Sequence, residues 1–199
     1  ESPSGLTWSP DGKWLAFTMS VKAENEPIAE PRDVPDGASW ADEPIIIKNT
    51  QYQYDGSGIV EPAHRHIFIM PADGGTAFQL TEGNFNHYGS LAWTSDSKEI
   101  YFSAYRSNDW ELVSDEADIY AVNIDTKELK QITSEPGAER SPSISPNGKT
   151  LAFIKEERRP LAYTPDRIAI VNVDGGKSRL LTKNLDGDAN DIIWADDNR

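Results

Sequence analysis

Hydrophobic and polar positions follow one another in short bursts along the chain. Leu6-Thr7-Trp8, Trp14 to Thr18, Ile67 to Met70 and Phe78 to Thr81 each read as a brief strand. Such segments alternate side chains with period two and favour aromatic or β-branched residues, which suits a pleated surface. Asp11-Gly12 and Gly74-Gly75 between them mark tight turns that need positive φ. The same order of signals then recurs. Leu6 to Phe17 is echoed by Leu91 to Phe102 and by Pro142 to Phe153, and a further copy begins at Ile192-Ile193-Trp194. Each full copy has a second half, running Ile67 to Thr81, Ile119 to Thr133 and Ile168 to Thr182.

The anchors Trp8, Trp93, Ile144 and Trp194 are spaced by a period of about 50 residues, except where an insertion lengthens the first copy. Four antiparallel strands per copy is the signature of a β-propeller blade. Unrelated hairpins in a sandwich would not repeat one order of signals. The predicted fold is all-β, a partial β-propeller of about three four-stranded antiparallel blades plus the first strand of a fourth. The repeats span 4–81 with an insertion at 21–65, then 89–133 and 141–182, and the next blade starts at 190–199. With about four or more blades in a closed ring, the chain reads as a piece of a larger propeller. Its open strand edges predict self-association.

With strands labelled a to d, the a–b and c–d turns fall at one end of each blade and are short. The b–c and d–a loops fall at the other end and are long and varied. Binding residues concentrate on loops carried by a rigid scaffold, so this second face is where function is expected. Within the insertion, Val21 to Pro44 is rich in proline and acid and reads as an irregular loop. Ile45-Ile46-Ile47 reads as a strand and Tyr52 to Gly56 as a hairpin.

Composition narrows the chemistry. The 199 residues carry a formal charge of −14 and no cysteine. That excludes thiol catalysis, disulfides and cysteine-ligated metals. It also disfavours nucleic acid and anionic membrane surfaces as partners. No apolar run approaches the ~20 residues of a spanning helix. Glu1-Ser2-Pro3 lacks the basic start of a signal peptide. The compartment stays open between cytoplasm and periplasm.

No Gly-x-Ser-x-Gly elbow occurs, so no catalytic residue is assigned. Tyr105, Arg106, Trp110 and Glu111 form a charged and aromatic group in the second b–c loop. Arg suits a carboxylate or carbonyl and Glu an ammonium, so these four are the candidate substrate contacts. The plainer reading is a surface ion pair with a packed Trp. His64 and His66 point to one strand face and suit either a metal pair or a solvated strand entrance beside Arg65. Asp186, Asp188 and Asn190 resemble the start of a calcium loop, but Asp191 stands where that loop needs glycine. No metal and no cofactor is assigned.

The Trp8-Ser9-Pro10-Asp11-Gly12-Lys13 core, with a closing Leu80-Thr81, resembles the TolB-like propeller repeat. Tyr52-x-Tyr54-Asp55-Gly56-x-Gly58, then His66-Ile67-Phe68-Ile69 and Gly74-Gly75, resembles the amino-terminal propeller of the prolyl oligopeptidase family, as does Ser103-Ala104-Tyr105-Arg106. The acylaminoacyl-peptidase and dipeptidyl-peptidase branch fits best. The resemblance implies a serine peptidase parent with a carboxy-terminal α/β-hydrolase domain that carries the triad. It implies a non-catalytic propeller here, gating or positioning short peptides. The other reading is a TolB-like propeller that serves as a protein-binding scaffold.

Overall fold

The computed structural model describes residues 2–23, 33–39, 41, 46–56, 58–60, 62–113, 115–158 and 163–195. The described residues form strands and turns without a helix. The first sheet holds β1 (Ser4–Trp8), β2 (Trp14–Lys22), β5 (Ala63–Pro71) and β6 (Phe78–Gln79) in spatial order β1-β2-β5-β6. Between β2 and β5 the insertion adds a small ribbon, β3 (Gln53–Tyr54) with β4 (Gly58–Ile59). The second sheet runs β7 (His87–Trp93), β8 (Glu99–Ala104), β9 (Asp118–Asn123), β10 (Leu129–Gln131). The third runs β11 (Gly137–Ile144), β12 (Thr150–Glu157), β13 (Arg167–Asn172), β14 (Arg179–Leu180). All pairings within the sheets are antiparallel. This is a partial β-propeller.

Local chemistry explains the repeat. Ser9 Oγ donates to Asp11 Oδ1 at 2.6 Å and accepts from Trp14 N at 2.9 Å, which closes the a–b turn. Thr94 with Asp96 and Ser145 with Asn147 build the same turn in the other blades. Short polar side chains close turns this way because they reach nearby backbone groups. The closing threonines have a parallel role. Thr81, Thr133 and Thr182 accept the N–H of Ile67, Ile119 and Ile168 at 3.0, 2.9 and 2.9 Å. These are strand-c amides beyond the reach of the short strand d.

The middle blade is buried on both faces. Ile100, Phe102, Tyr120 and Val122 pack toward the first blade with Ile67, Ile69 and Trp93. Tyr101, Ile119 and Ala121 pack toward the third with Leu151, Phe153 and Val171. The period of two therefore sends successive residues into different seams. Trp93 Nε1 donates to Thr7 O at 3.4 Å, and Trp194 Nε1 donates to Ser143 O at 3.3 Å. Trp194 thus docks on the third blade as Trp93 docks on the first.

Strand a is longer than the sequence motif suggests. A bulge interrupts it between Ser4 and Thr7, between Tyr88 and Ala92, and between Arg140 and Ser143. Each bulge holds a residue at positive φ: Gly5 at 64°, Gly89 at 78° and Ser141 at 54°. Before the bulge the strand pairs on, His87 with Ala104 and Gly137 with Glu157. Ile46 and Ile47 lie in no strand, against the reading of Ile45-Ile46-Ile47 as one, since a short apolar run makes a strand only where another strand pairs with it, and Ile45 lies outside the described residues. Most of Val21 to Pro44, part of the Glu156 to Pro165 loop and Asp196 to Arg199 also lie outside them.

Candidate functional site

On the face of the b–c and d–a loops, a cleft of about 350 Å³ opens over the seam between the second and third blades. Its walls come from the strand ends of two blades, the insertion and a b–c loop. Tyr88 and Ser103 rise from β7 and β8, Ala138 and Arg140 from β11, and Asn49 to Gln51 from the insertion. The second b–c loop supplies Tyr105, Trp110, Glu111 and Glu116.

Of the four candidate contacts, Tyr105, Trp110 and Glu111 meet on the cleft wall. The loop folds back in turns, with Trp110 N bonded to Ser107 O and Leu112 N to Asp109 O. Tyr105 Oη donates to Asp109 Oδ1 at 3.0 Å. The Trp110 ring meets the edge of buried His64 at 5.6 Å between centroids. Thr50 N and Thr50 Oγ1 each reach Glu111 Oε2 at 3.3 Å, which ties the insertion to the loop. Among the described residues that carboxylate accepts only long, uncharged hydrogen bonds, so it suits an incoming ammonium.

Arg106 points away from the cleft. Its Nη1 donates to His87 Nε2 at 2.7 Å, both Nη atoms reach Glu82 O at 3.3 Å, and its guanidinium lies 4.7 Å from the Phe85 centroid. His87 Nδ1 donates to Arg65 O at 2.7 Å. Both nitrogens are thus committed to the neutral ring, and burial, with Arg106 beside it, holds His87 down to about 3. Arg106 buttresses the wall from behind.

His64 and His66 are buried, not solvated, because Trp110 and His87 pack on them. Burial lowers the pKa of both. Among the described residues no three potential ligands converge on a metal position. Asp188 Oδ1 accepts from Tyr163 Oη at 2.7 Å and Asp166 N at 2.9 Å, so it clasps the third b–c loop.

The seam wall is itself ordered by charge. Ala117 and Ala138 form a parallel bridge between blades. Glu116 Oε2 accepts Gly137 N at 2.9 Å and Glu116 Oε1 accepts Arg158 Nη1 at 3.0 Å. Arg140 pairs with Glu156 and Asp166. Tyr88, Glu116 and Arg140 stand in no motif of the sequence, and Ser103 stands in one only as part of Ser103-Ala104-Tyr105-Arg106, not as a contact.

Comparison with known proteins gives a consistent picture. Residues 39–158 match the family described as "Dipeptidyl peptidase IV (DPP IV) N-terminal region". Dipeptidyl-peptidase 5 of Porphyromonas gingivalis is 23% identical over 211 residues, covering 98% of this chain and 30% of that protein. Among solved structures, acylaminoacyl peptidase of Pyrococcus horikoshii aligns with a TM-score of 0.62 at 14% identity, covering 94% of this chain and 26% of that one. TolB of Acinetobacter baumannii aligns with a TM-score of 0.52 at 19% identity, covering 89% of this chain and 32% of that one. The chain spans less than two thirds of the length of each of these proteins.

Proposed function

Because the chain belongs to the family of the dipeptidyl peptidase IV N-terminal region, we propose that it is the non-catalytic propeller portion of a serine peptidase and positions short peptides for an α/β-hydrolase domain of the same parent. The observation that carries this reading is that the family match at 39–158 takes in both Asn49 to Gln51 of the insertion and the b–c loop that wall the cleft. Tyr105, Trp110 and Glu111 are the proposed peptide contacts and Arg106 their support. Glu111 faces the cleft with no ion pair among the described residues, while Glu116 is matched by Arg158, and Arg140 by Glu156 and Asp166. The balance favours a peptide's ammonium group. Chromogenic aminoacyl and dipeptidyl substrates test the reading. The product of the complete gene is expected to hydrolyse them, and the 199-residue chain alone is not. Activity in the chain alone, or none in the complete product, overturns it.

The likeness to TolB favours a second reading, a protein-binding scaffold without a hydrolase domain. A Gly-x-Ser-x-Gly encoded downstream, followed by Asp and His, decides against the scaffold. In either case the exposed Leu6 and Trp8 on β1 offer a second copy the surface that other blades cover. Light scattering is expected to show a dimer.

A further inference from the structure

The cleft holds a hydroxyl that the fold does not use. Thr18, Ser103 and Ile154 occupy one position in successive blades, each directly after the buried Phe17, Phe102 or Phe153. Register confirms the equivalence: they pair with Ser4, Tyr88 and Arg140 on strand a. In the first blade the hydroxyl is satisfied, because Thr18 Oγ1 and Ser4 Oγ lie 3.0 Å apart. In the third blade Ile154 brings no polar atom. In the second, Ser103 is 1% exposed and its Oγ has no hydrogen-bond partner among the described residues.

A buried hydroxyl without a partner destabilises a fold, and alanine would avoid the penalty. Ser103 nonetheless lines the cleft. Beside it Gly89 leaves space, since a Cβ there would stand 4.0 Å from Ser103 Oγ. Of the charged groups of the cleft, Glu111 is an acceptor, and Glu116 and Arg140 are engaged in ion pairs. Ser103 is the uncommitted buried donor.

We infer that Ser103 is a ligand contact that fixes specificity for a peptide backbone, its hydroxyl donating to a peptide carbonyl oxygen seated in the cleft. Its cross-strand partner Tyr88 is 47% exposed, and because Ser103 is buried, access to Oγ requires the cleft wall to give. The inference rests on the reading of the cleft as a peptide site.

The test uses tetra-alanine with a free amino terminus, whose hydrogen bonds all come from its backbone and ends. Its affinity for the chain is measured by calorimetry or by shifts of amide resonances, with melting curves alongside. Ser103→Ala is expected to weaken binding by about fivefold to tenfold while the melting temperature holds or rises. Ser103→Thr restores the hydroxyl that the first blade already accommodates at Thr18, and is expected to bind within about twofold of the original chain. Undiminished binding by Ser103→Ala overturns this inference and leaves the peptide site standing, as does a fall in melting temperature with unchanged affinity. If the original chain does not bind tetra-alanine at millimolar concentration, the peptide reading falls and takes the inference with it.

Discussion

His87 and Glu139 occupy the same position in successive blades, and each is fully buried. His87 pairs with Ala104 on β8, and Glu139 pairs with Lys155 on β12. Each faces the strand-c residue that precedes the threonine-capped isoleucine of the blade before. For His87 that neighbour is His66, 5.2 Å away between ring centroids. For Glu139 it is Asp118, brought alongside by the Ala117–Ala138 bridge. One seam therefore buries a pair of bases, the next sets a half-buried acid beside a buried one, and the two respond to pH in opposite directions. Asp118 is pushed up to about 7 by burial and by Glu139 and Glu116, with Gln131 and Lys155 opposing. Its favourable contribution is complete below the ordinary carboxylate value of 3.8 and is lost as pH rises through 7. His87 is held down to about 3, so its contribution is complete above 6.5 and is lost as pH falls.

Comparing variants separates the two seams. Asp118→Asn keeps an oxygen for Gln131 Nε2, which lies 3.0 Å from the carboxylate, and removes the charge. It is expected to raise the melting temperature by about 2–4 °C at pH 8, the effect of about 1 kcal/mol in a chain of this size. The gain should vanish at pH 3, below the ordinary carboxylate value of 3.8, where Asp118 is protonated in the folded chain and largely so in the unfolded one. Melting curves followed by circular dichroism across that range check it. An equal gain at both pH values would show that repulsion at Asp118 is not the cause.

Arg106 governs the other seam. Arg106→Ala leaves His87 Nε2 buried without its donor and removes the contact with Phe85. The expected loss is about 1–3 kcal/mol, read from denaturant midpoints. Arg106→Lys recovers little, because an ammonium cannot span His87 and Glu82 as the planar guanidinium does. Imidazole nitrogen resonances should show His87 in the Nδ1–H form in the original chain, with no protonation down to pH 5.

The threonine caps offer a graded test. Thr133→Val keeps the shape of the side chain and orphans Ile119 N, at an expected cost of about 1–3 kcal/mol. Thr81→Val should cost about as much, because Thr81 also contacts His66 Nδ1 at 3.3 Å just as Thr133 also bonds the Glu139 carboxyl. Thr182→Val should cost least, since Thr182 is only half-buried and water can reach Ile168 N. Urea titrations of the three variants give the order.

What the sequence made legible was local. The Ser9–Asp11 turn, the strand alternation and the closing threonines each depend on residues a few positions apart, so their spacing reveals them. Tyr105, Trp110 and Glu111 were legible as a group because one loop carries them. The destination of Arg106 was not, because His87 and Glu82 reach it from the preceding d–a loop. Nor was the burial of His64 and His66, which depends on Trp110 folding back from the next blade. Tyr88 and Arg140 escaped notice because the strand-a bulge separates the cleft end of the blade from the repeat motif, and the role of Ser103, directly after the motif's Phe102, because its lack of a partner shows only in the folded chain. Register relates the two halves, and only pairing reveals register.

That bulge leads to a contrast within a single strand. Ser141 stands at φ 54°, where Gly5 and Gly89 stand in the other blades. A side chain at positive φ crowds its own backbone, so Ser141→Gly is expected to stabilise the chain by about 0.5–1 kcal/mol. Four residues earlier, Gly137 stands at φ 114°, and a Cβ there would lie 2.1 Å from Glu156 O and 2.9 Å from Arg158 N. Both obstacles are backbone of β12 or the residue just after it, so neither can swing away. Gly137 N also bonds Glu116, and Gly137 O accepts Ala117 N, which together close the cleft wall. Gly137→Ala is therefore expected to cost about 3 kcal/mol or more and to loosen the seam between the second and third blades. Hydrogen exchange should show the Ala117 and Glu139 amides opening in this variant and staying protected in Ser141→Gly. Equal protection in both variants would mean that β12 yields to the added methyl and that the wall does not depend on the glycine.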